Sequence, residues 1–242
     1  MRALAPLLLL ATCGGADFSA AFDDAAVLGR AQALHVAAVH ARVRVRTGPA
    51  GRIDVAVRAN GTLPAAPVAF ETRGESVIVM LDEAVATLEG TEIGVTAPAG
   101  LDLVVSGGDG AVEIGGSWRR LVVRTTNGAI SARVERTDHG ELLSHTGAVA
   151  FAASRSGPTG DFTAKSIRGG VSVEVPASWS GQIHVRSQTG KLDVPAHANL
   201  KTLWDEDEKG VVGHVGGPPR KDAIPPSLWA ASATGNVSFR LE

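Results

Sequence analysis

Asp109, Asp138, Asp161 and Asp193 stand beside turn signals, where carboxylates from neighbouring strands could serve as the acid and base of glycoside cleavage. They occupy different places in the local pattern and share no neighbouring Lys or Arg, so they read as solvated turn carboxylates. The seven histidines include no H-E-x-x-H or comparable ligand spacing, and His35 and His40, five apart, fall on opposite faces of a strand. Gly213, Gly216 and Gly217 do not open a helix after a strand, which argues against a phosphate loop. Asp205-Glu206-Asp207-Glu208 offers oxygen ligands of the kind Ca²⁺ takes. Lys209 follows at once, however, and no EF-hand or nonapeptide repeat surrounds the run. No catalytic residue, metal ligand or cofactor is therefore expected. Arg42, Arg44 and Arg46 alternate with valines and share the outward face of one strand, with Arg124 and Arg133 further along. Such a row could meet an anionic glycan or lipid head groups; the plainer reading is a charged face that keeps a sticky strand soluble. Trp118, Trp179, Trp204 and Trp229 could stack on sugar rings, but their scattered places suit covers over strand edges and ends.

The only cysteine, Cys13, has no partner for an intrachain disulfide. It follows Arg2 and the apolar run Leu7–Leu10, which is too short to span a bilayer. Leu10-Ala11-Thr12-Cys13 resembles a bacterial lipobox, although Thr12 stands where Gly, Ala or Ser is usual. That resemblance implies removal of residues before Cys13 and acylation of its thiol and new amine, with a cleaved secretory signal or a retained start as the alternatives. The chain then divides into a signal peptide over 1–13, a tether or lead-in over 14–33, and a strand-repeat domain over 34–242.

The composition fits that division. Lys+Arg 23 against Asp+Glu 25 gives a formal charge of -2, too weak a field to draw nucleic acid or an anionic membrane. Apolar residues make up 44%, enough for a core, while 29 glycines and no tyrosine suggest short strands joined by tight turns.

What could position such residues is a repeat. With the turn glycine as position zero, apolar or small residues sit at minus seven, minus five, plus two and plus four. Around Gly128 these are Leu121, Val123, Ile130 and Ala132; around Gly110, Leu103, Val105, Val112 and Ile114. Gly169, Gly190 and Gly235 carry the same frame, and Gly147 carries it with Gly140 in the first place. Two earlier segments fit with the glycine replaced, Leu34, Val36, Val43 and Val45 about Ala41, and Val68, Phe70, Val77 and Val79 about Glu75. Period-two spacing predicts two short strands, each with one buried face, flanking a turn where glycine can take positive φ. The zero positions advance by 18, 19, 22 and 21 from Gly110 to Gly190, then by 45 to Gly235, with a weaker segment at Gly210 between. Units of roughly 20 residues predict an all-β, single-domain β-solenoid resembling a parallel β-helix. Its competitor is an antiparallel meander or sandwich, because Asn127-Gly128 is also a favoured hairpin turn.

The succession TEIGVTAPAGLDLVVSGGDGAVEIGG, LVVRTTNGAISARV, VSVEVPASWSGQIHVRSQTGKLDV and GGPPRKDAIPPSLWAASATGNVSFRLE resembles the bacterial DUF4097-type family, labelled "putative adhesin", over most of residues 34–242. Two places depart from the pattern: His40-Ala41 where Asn-Gly is expected, and Trp204-Asp205 before Gly210. The resemblance implies a β-solenoid-like domain in or outside the cell envelope and brings no catalytic motif. The expected function is a non-enzymatic, exported envelope protein, lipid-anchored in the periplasm or at the surface. It would bind an envelope or surface polymer or protein, in adhesion or stress sensing. The alternative is a β-helix enzyme acting on a polysaccharide.

Overall fold

The computed structural model describes residues 16–196, 199–205, 208–216 and 224–242. The protein is all-β. Its described strands belong to one large mixed sheet that does not close on itself, accompanied by two single-turn helices, α1 (Ala25–Leu28) and α2 (Glu83–Ala86).

With strands numbered along the chain, pairing runs in two rows. The first is β5 (Val68–Arg73), β6 (Ser76–Leu81), β2 (Ala33–Ala38), β8 (Asp102–Gly107), the second half of β9 (Val112–Thr125), the second half of β10 (Ile130–Ser144), β12 (Phe162–Ser166), β18 (Ser227–Ser232), β14 (Gly181–Ser187), β17 (Glu208–Val215) and β16 (Leu200–Asp205). The second is β1 (Ala16–Phe22), β4 (Ile53–Ala59), β7 (Glu92–Pro98), β3 (Arg42–Gly48), the first halves of β9 and β10, β11 (Val149–Ala153), β13 (Val171–Val175), β19 (Val237–Leu241) and β15 (Leu192–Asp193). From β6 to β14 and from β7 to β15 every pairing is parallel. Antiparallel pairing is confined to the ends, where β5, β16–β17 and β1–β4 lie.

The hairpin expected as a competitor across Asn127-Gly128 does not form. Residues 121–125 pair in parallel with 140–144, and 130–134 with 112–116 and 149–153. Each half of the repeat therefore finds its partner one unit away, and the inward positions stack in register. One column reads Ile93, Val43, Val112, Ile130, Val149, Val171, Val237, Leu192, and all but the last are buried. The facing column of the first row reads Val77, Leu34, Leu103, Leu121, Gly140, Phe162, Leu228, Ile183. Gly140, the odd residue of the frame, is explained by its neighbour. A Cβ there would lie 2.3 Å from the Phe162 ring, so the large side chain of one unit fills the space that the small residue of the next leaves.

Order along the sheet differs from order along the chain at both ends. The β18–β19 unit is inserted between β12–β13 and β14–β15, so Val237 follows Val171 and precedes Leu192. The long step to Gly235 is thus not two ordinary units. Gly210 lies in β17, half of a hairpin laid against β14, opposite Arg186. At the other end, the segment framed about Glu75 is a hairpin, with Val68 opposite Leu81, turning at Gly74 with φ 59°. Val77 and Val79 take their place in a unit whose second half is Ile93 and Val95, reached through α2. Part of the expected lead-in is also sheet: β1 pairs along β4 and buries Phe18.

Candidate functional site

The turn glycines do not serve the purpose their position suggests. Positive φ occurs at other glycines, Gly51 and Gly74 among them, and at none of Gly110, Gly128, Gly147, Gly169, Gly190 and Gly235. These six stack on one another instead. A Cβ on Gly128 would fall 2.0 Å from the Gly110 carbonyl oxygen, and on Gly147, Gly169, Gly235 and Gly190 it would fall 2.1–2.3 Å from the carbonyl of the glycine before it in the stack. Ala41 is tolerated because it begins the column; its neighbouring unit connects through α2 and makes no such turn. His40 there meets Asp109 at 3.0 Å.

Three residues before four of these glycines sits a buried serine. The Ser166 hydroxyl accepts from Gly169 N–H at 2.8 Å and donates to the Gly147 carbonyl at 2.8 Å, and Ser144, Ser187 and Ser232 repeat the arrangement. Each hydroxyl closes its own turn and ties it to the adjacent unit, satisfying groups that burial would otherwise leave unpaired. The signal in the sequence is Ser-x-x-Gly at 144–147, 166–169, 187–190 and 232–235, and a frame built on apolar positions alone passes over it.

Arg42, Arg44 and Arg46 do share the outward face of β3, but two of them are met from within the protein. Arg42 donates to Glu113, and Arg44 donates to Glu92 at 2.6 Å and Glu113 at 3.0 Å. The paired guanidiniums hold the Glu113 carboxyl below the usual carboxylate range, Arg42 contributing most. Arg46 has no ion-pair partner among the described residues. It lines, with Arg44 and Arg52, a groove of about 550 Å³ floored by small residues, Ala56 of β4 and Gly94 of β7. Arg52 in turn holds Asp54 at 2.5 Å.

The other candidates are dispersed. Asp109 accepts from Asn127 at 2.7 Å, Asp138 from Thr159 at 2.9 Å and Asp161 from Ser227 at 2.6 Å, while Asp193 faces Arg240 at 3.6 Å. Among the described residues no three His, Cys, Asp or Glu side chains converge as metal ligands. Cys13, Glu206, Asp207 and Gly217 lie outside the described residues. Trp118 and Trp179 are buried and donate to the carbonyls of Gly115 and Pro158, as covers would.

Trp229 is different: it stands on the outer wall, its ring parallel to that of His184 with centroids 4.0 Å apart. Burial, and secondarily Arg186, hold the His184 imidazole below its ordinary value of 6.5, and its Nδ1 is buried without a hydrogen-bond partner. A base whose pKa falls on folding takes up a proton more readily when unfolded. Stability should therefore drop as pH falls from 6.5 through the lower folded value. His184→Phe keeps a ring against Trp229 and removes that titration, so its melting temperature should fall less than the wild type's between about pH 7 and about pH 5. Equal slopes would show that His184 is not coupled to folding.

These observations define a class: an all-β protein of one mixed sheet in which equivalent strands pair in parallel and their outward residues form rows. No family model and no curated protein sequence matches the chain. Among solved structures it is similar, over 94% of its length, to the whole of a "putative cell adhesion protein" from Clostridium sporogenes, with a TM-score of 0.56 at 8% identity, a likeness of fold alone. It is also similar to "putative adhesin" structures from Bacteroides fragilis, at 11% identity with a TM-score of 0.38, and Parabacteroides distasonis, at 10% with 0.39. Each alignment covers 93% of this chain and 97% of the other, and scores at that level bear no weight for the fold.

Proposed function

We propose that the protein is a non-enzymatic protein of the cell envelope or surface, whose two strand rows are the walls of a β-solenoid that binds a partner along its length. Acylation of Cys13 would hold it at a membrane. The likeness in fold to a protein described as a cell adhesion protein, over that protein's whole length, supports a surface role.

The observation that carries a binding reading is the groove beside β3. Small residues open it, and Arg46 stands in it with no carboxylate partner among the described residues. A guanidinium so placed suits an extended anionic polymer, held weakly and in a salt-sensitive way because the contact is exposed. Arg46→Gln should lower retention on an anionic glycan column, and added salt should do the same to the wild type. Arg42→Gln, which removes a charge already bridged to Glu113, should leave retention almost unchanged. Retention indifferent to Arg46 and to salt would reduce this face to a solubilising surface, and shortening of the polymer during incubation would make the protein an enzyme.

A further inference from the structure

On the opposite wall, the outward positions of β10, β12, β18 and β14 form a grid in register. Glu141, Thr163, Trp229 and His184 make one rank, and Leu143, Lys165, Ala231 and Arg186 the next. Because Ala231 and Ala233 are small, the wall sinks between its neighbours into a groove of about 500 Å³. Arg124, His145 and Lys165 line that groove, with Gln188, half-exposed Ile167 and no carboxylate among the described residues. Arg124 is bridged to Glu141 at 2.9 Å, whereas Lys165 has no ion-pair partner among the described residues.

Trp229 lies two residues before Ala231 on β18, in the rank next to the groove-lining one. His184, from β14, covers one face of the indole at 4.0 Å with the planes 2° apart. The in-register residue on β12 is the short Thr163, and the Arg186 guanidinium lies over the indole, 5.7 Å from the ring centroid. A ring plane fixed by a stacked partner, with a short residue beside it on the next strand, suits a flat apolar ring face against its edge and open surface. A sugar presents such a face through its C–H bonds, and a carboxylated sugar adds a negative charge for Lys165, which has no ion-pair partner among the described residues.

We propose that this wall binds a uronic-acid polysaccharide, one sugar ring stacking on Trp229 and a carboxylate meeting Lys165. It is a second site, on the wall opposite the Arg46 groove, and does not depend on the function proposed for that groove.

The test is affinity electrophoresis of the full chain through gels holding polygalacturonate, dextran or polyglutamate. The wild type should be retarded by polygalacturonate and much less by the other two, since dextran lacks the charge and polyglutamate the ring. Trp229→Ala should weaken retardation at least tenfold while Trp229→Phe keeps most of it, and Lys165→Gln should weaken it and flatten its salt dependence. Melting temperatures of the three variants close to the wild type's would show that the wall itself is intact, and the same losses from Trp229→Ala and Lys165→Gln in an Arg46→Gln background would show that the Arg46 groove does not produce them. Absence of retardation overturns the proposal. Equal retardation by polyglutamate with no effect of Trp229→Ala makes the groove merely cationic, and equal retardation by dextran with no effect of Lys165→Gln removes the acid from it.

Discussion

Gly128→Ala and Gly128→Asn should each destabilise the protein by about 3 kcal/mol, and the asparagine should be no better than the alanine. The added Cβ would sit 2.0 Å from the Gly110 carbonyl oxygen and 2.8 Å from its carbon, both backbone atoms with no flexible end to swing aside. Relief requires two adjacent turns to part, which also strains the stack above at Gly147. Gly74 is the contrast. Its φ is 59° and nothing lies within 4 Å of a built Cβ, so only backbone conformation resists replacement. There the penalty for alanine should be about 1 kcal/mol, and asparagine, which tolerates the left-handed region, should recover part of it. Urea midpoints of the four variants decide the matter: rescue of Gly128 by asparagine would restore the conformational explanation and remove the steric one.

Val171→Asp should be worse still. Val171 is 3% exposed and lies between Val149 and Val237 in the inward column, with apolar residues of the facing row across from it. A carboxylate there has neither water nor a cation, so it must take up a proton or force the units apart, at a cost of about 4 kcal/mol or more. Ser172, the next residue, faces outward between Ala150 and Ser238. Ser172→Asp should change stability by less than about 0.5 kcal/mol. Comparable losses at both positions would mean that the inward column is not continuous through Val171.

The inward column is legible in the amino-acid sequence. The spacing about each glycine marks Val112, Ile130, Val149, Val171 and Val237 as equivalent, and they are, because a period of two fixes which face of a strand must be buried. The same period is silent on which strand lies next to which. Val68 to Val79 about Glu75 obeys the frame yet forms a hairpin, because the apolar pattern does not distinguish a neighbour one turn away from a neighbour across a tight turn. The place of β18 and β19 is hidden for the same reason. The arginine row is visible as alternation, but its counter-charges are not: Glu92 and Glu113 lie 48 and 69 residues from Arg44, and only parallel registration brings them beside it. Trp229 is one of four scattered tryptophans until the register places His184 opposite it.

The insertion of β18 and β19 orders events in time. As the chain is made, each new unit can settle on one already made as far as Val175. The next one, beginning at Gly181, finds its future neighbour missing, because the place beside β12 and β13 belongs to residues synthesised more than forty positions later. Until residues 227–241 emerge, β14 must wait with an open edge or settle provisionally against β12, where its Ile183 and Val185 would match the apolar frame well enough to be held. Such a register would have to be undone for the late unit to wedge in. Refolding from denaturant should accordingly show a slow phase that a chain ending after Val175 lacks, the kinetic signature of a keystone laid last.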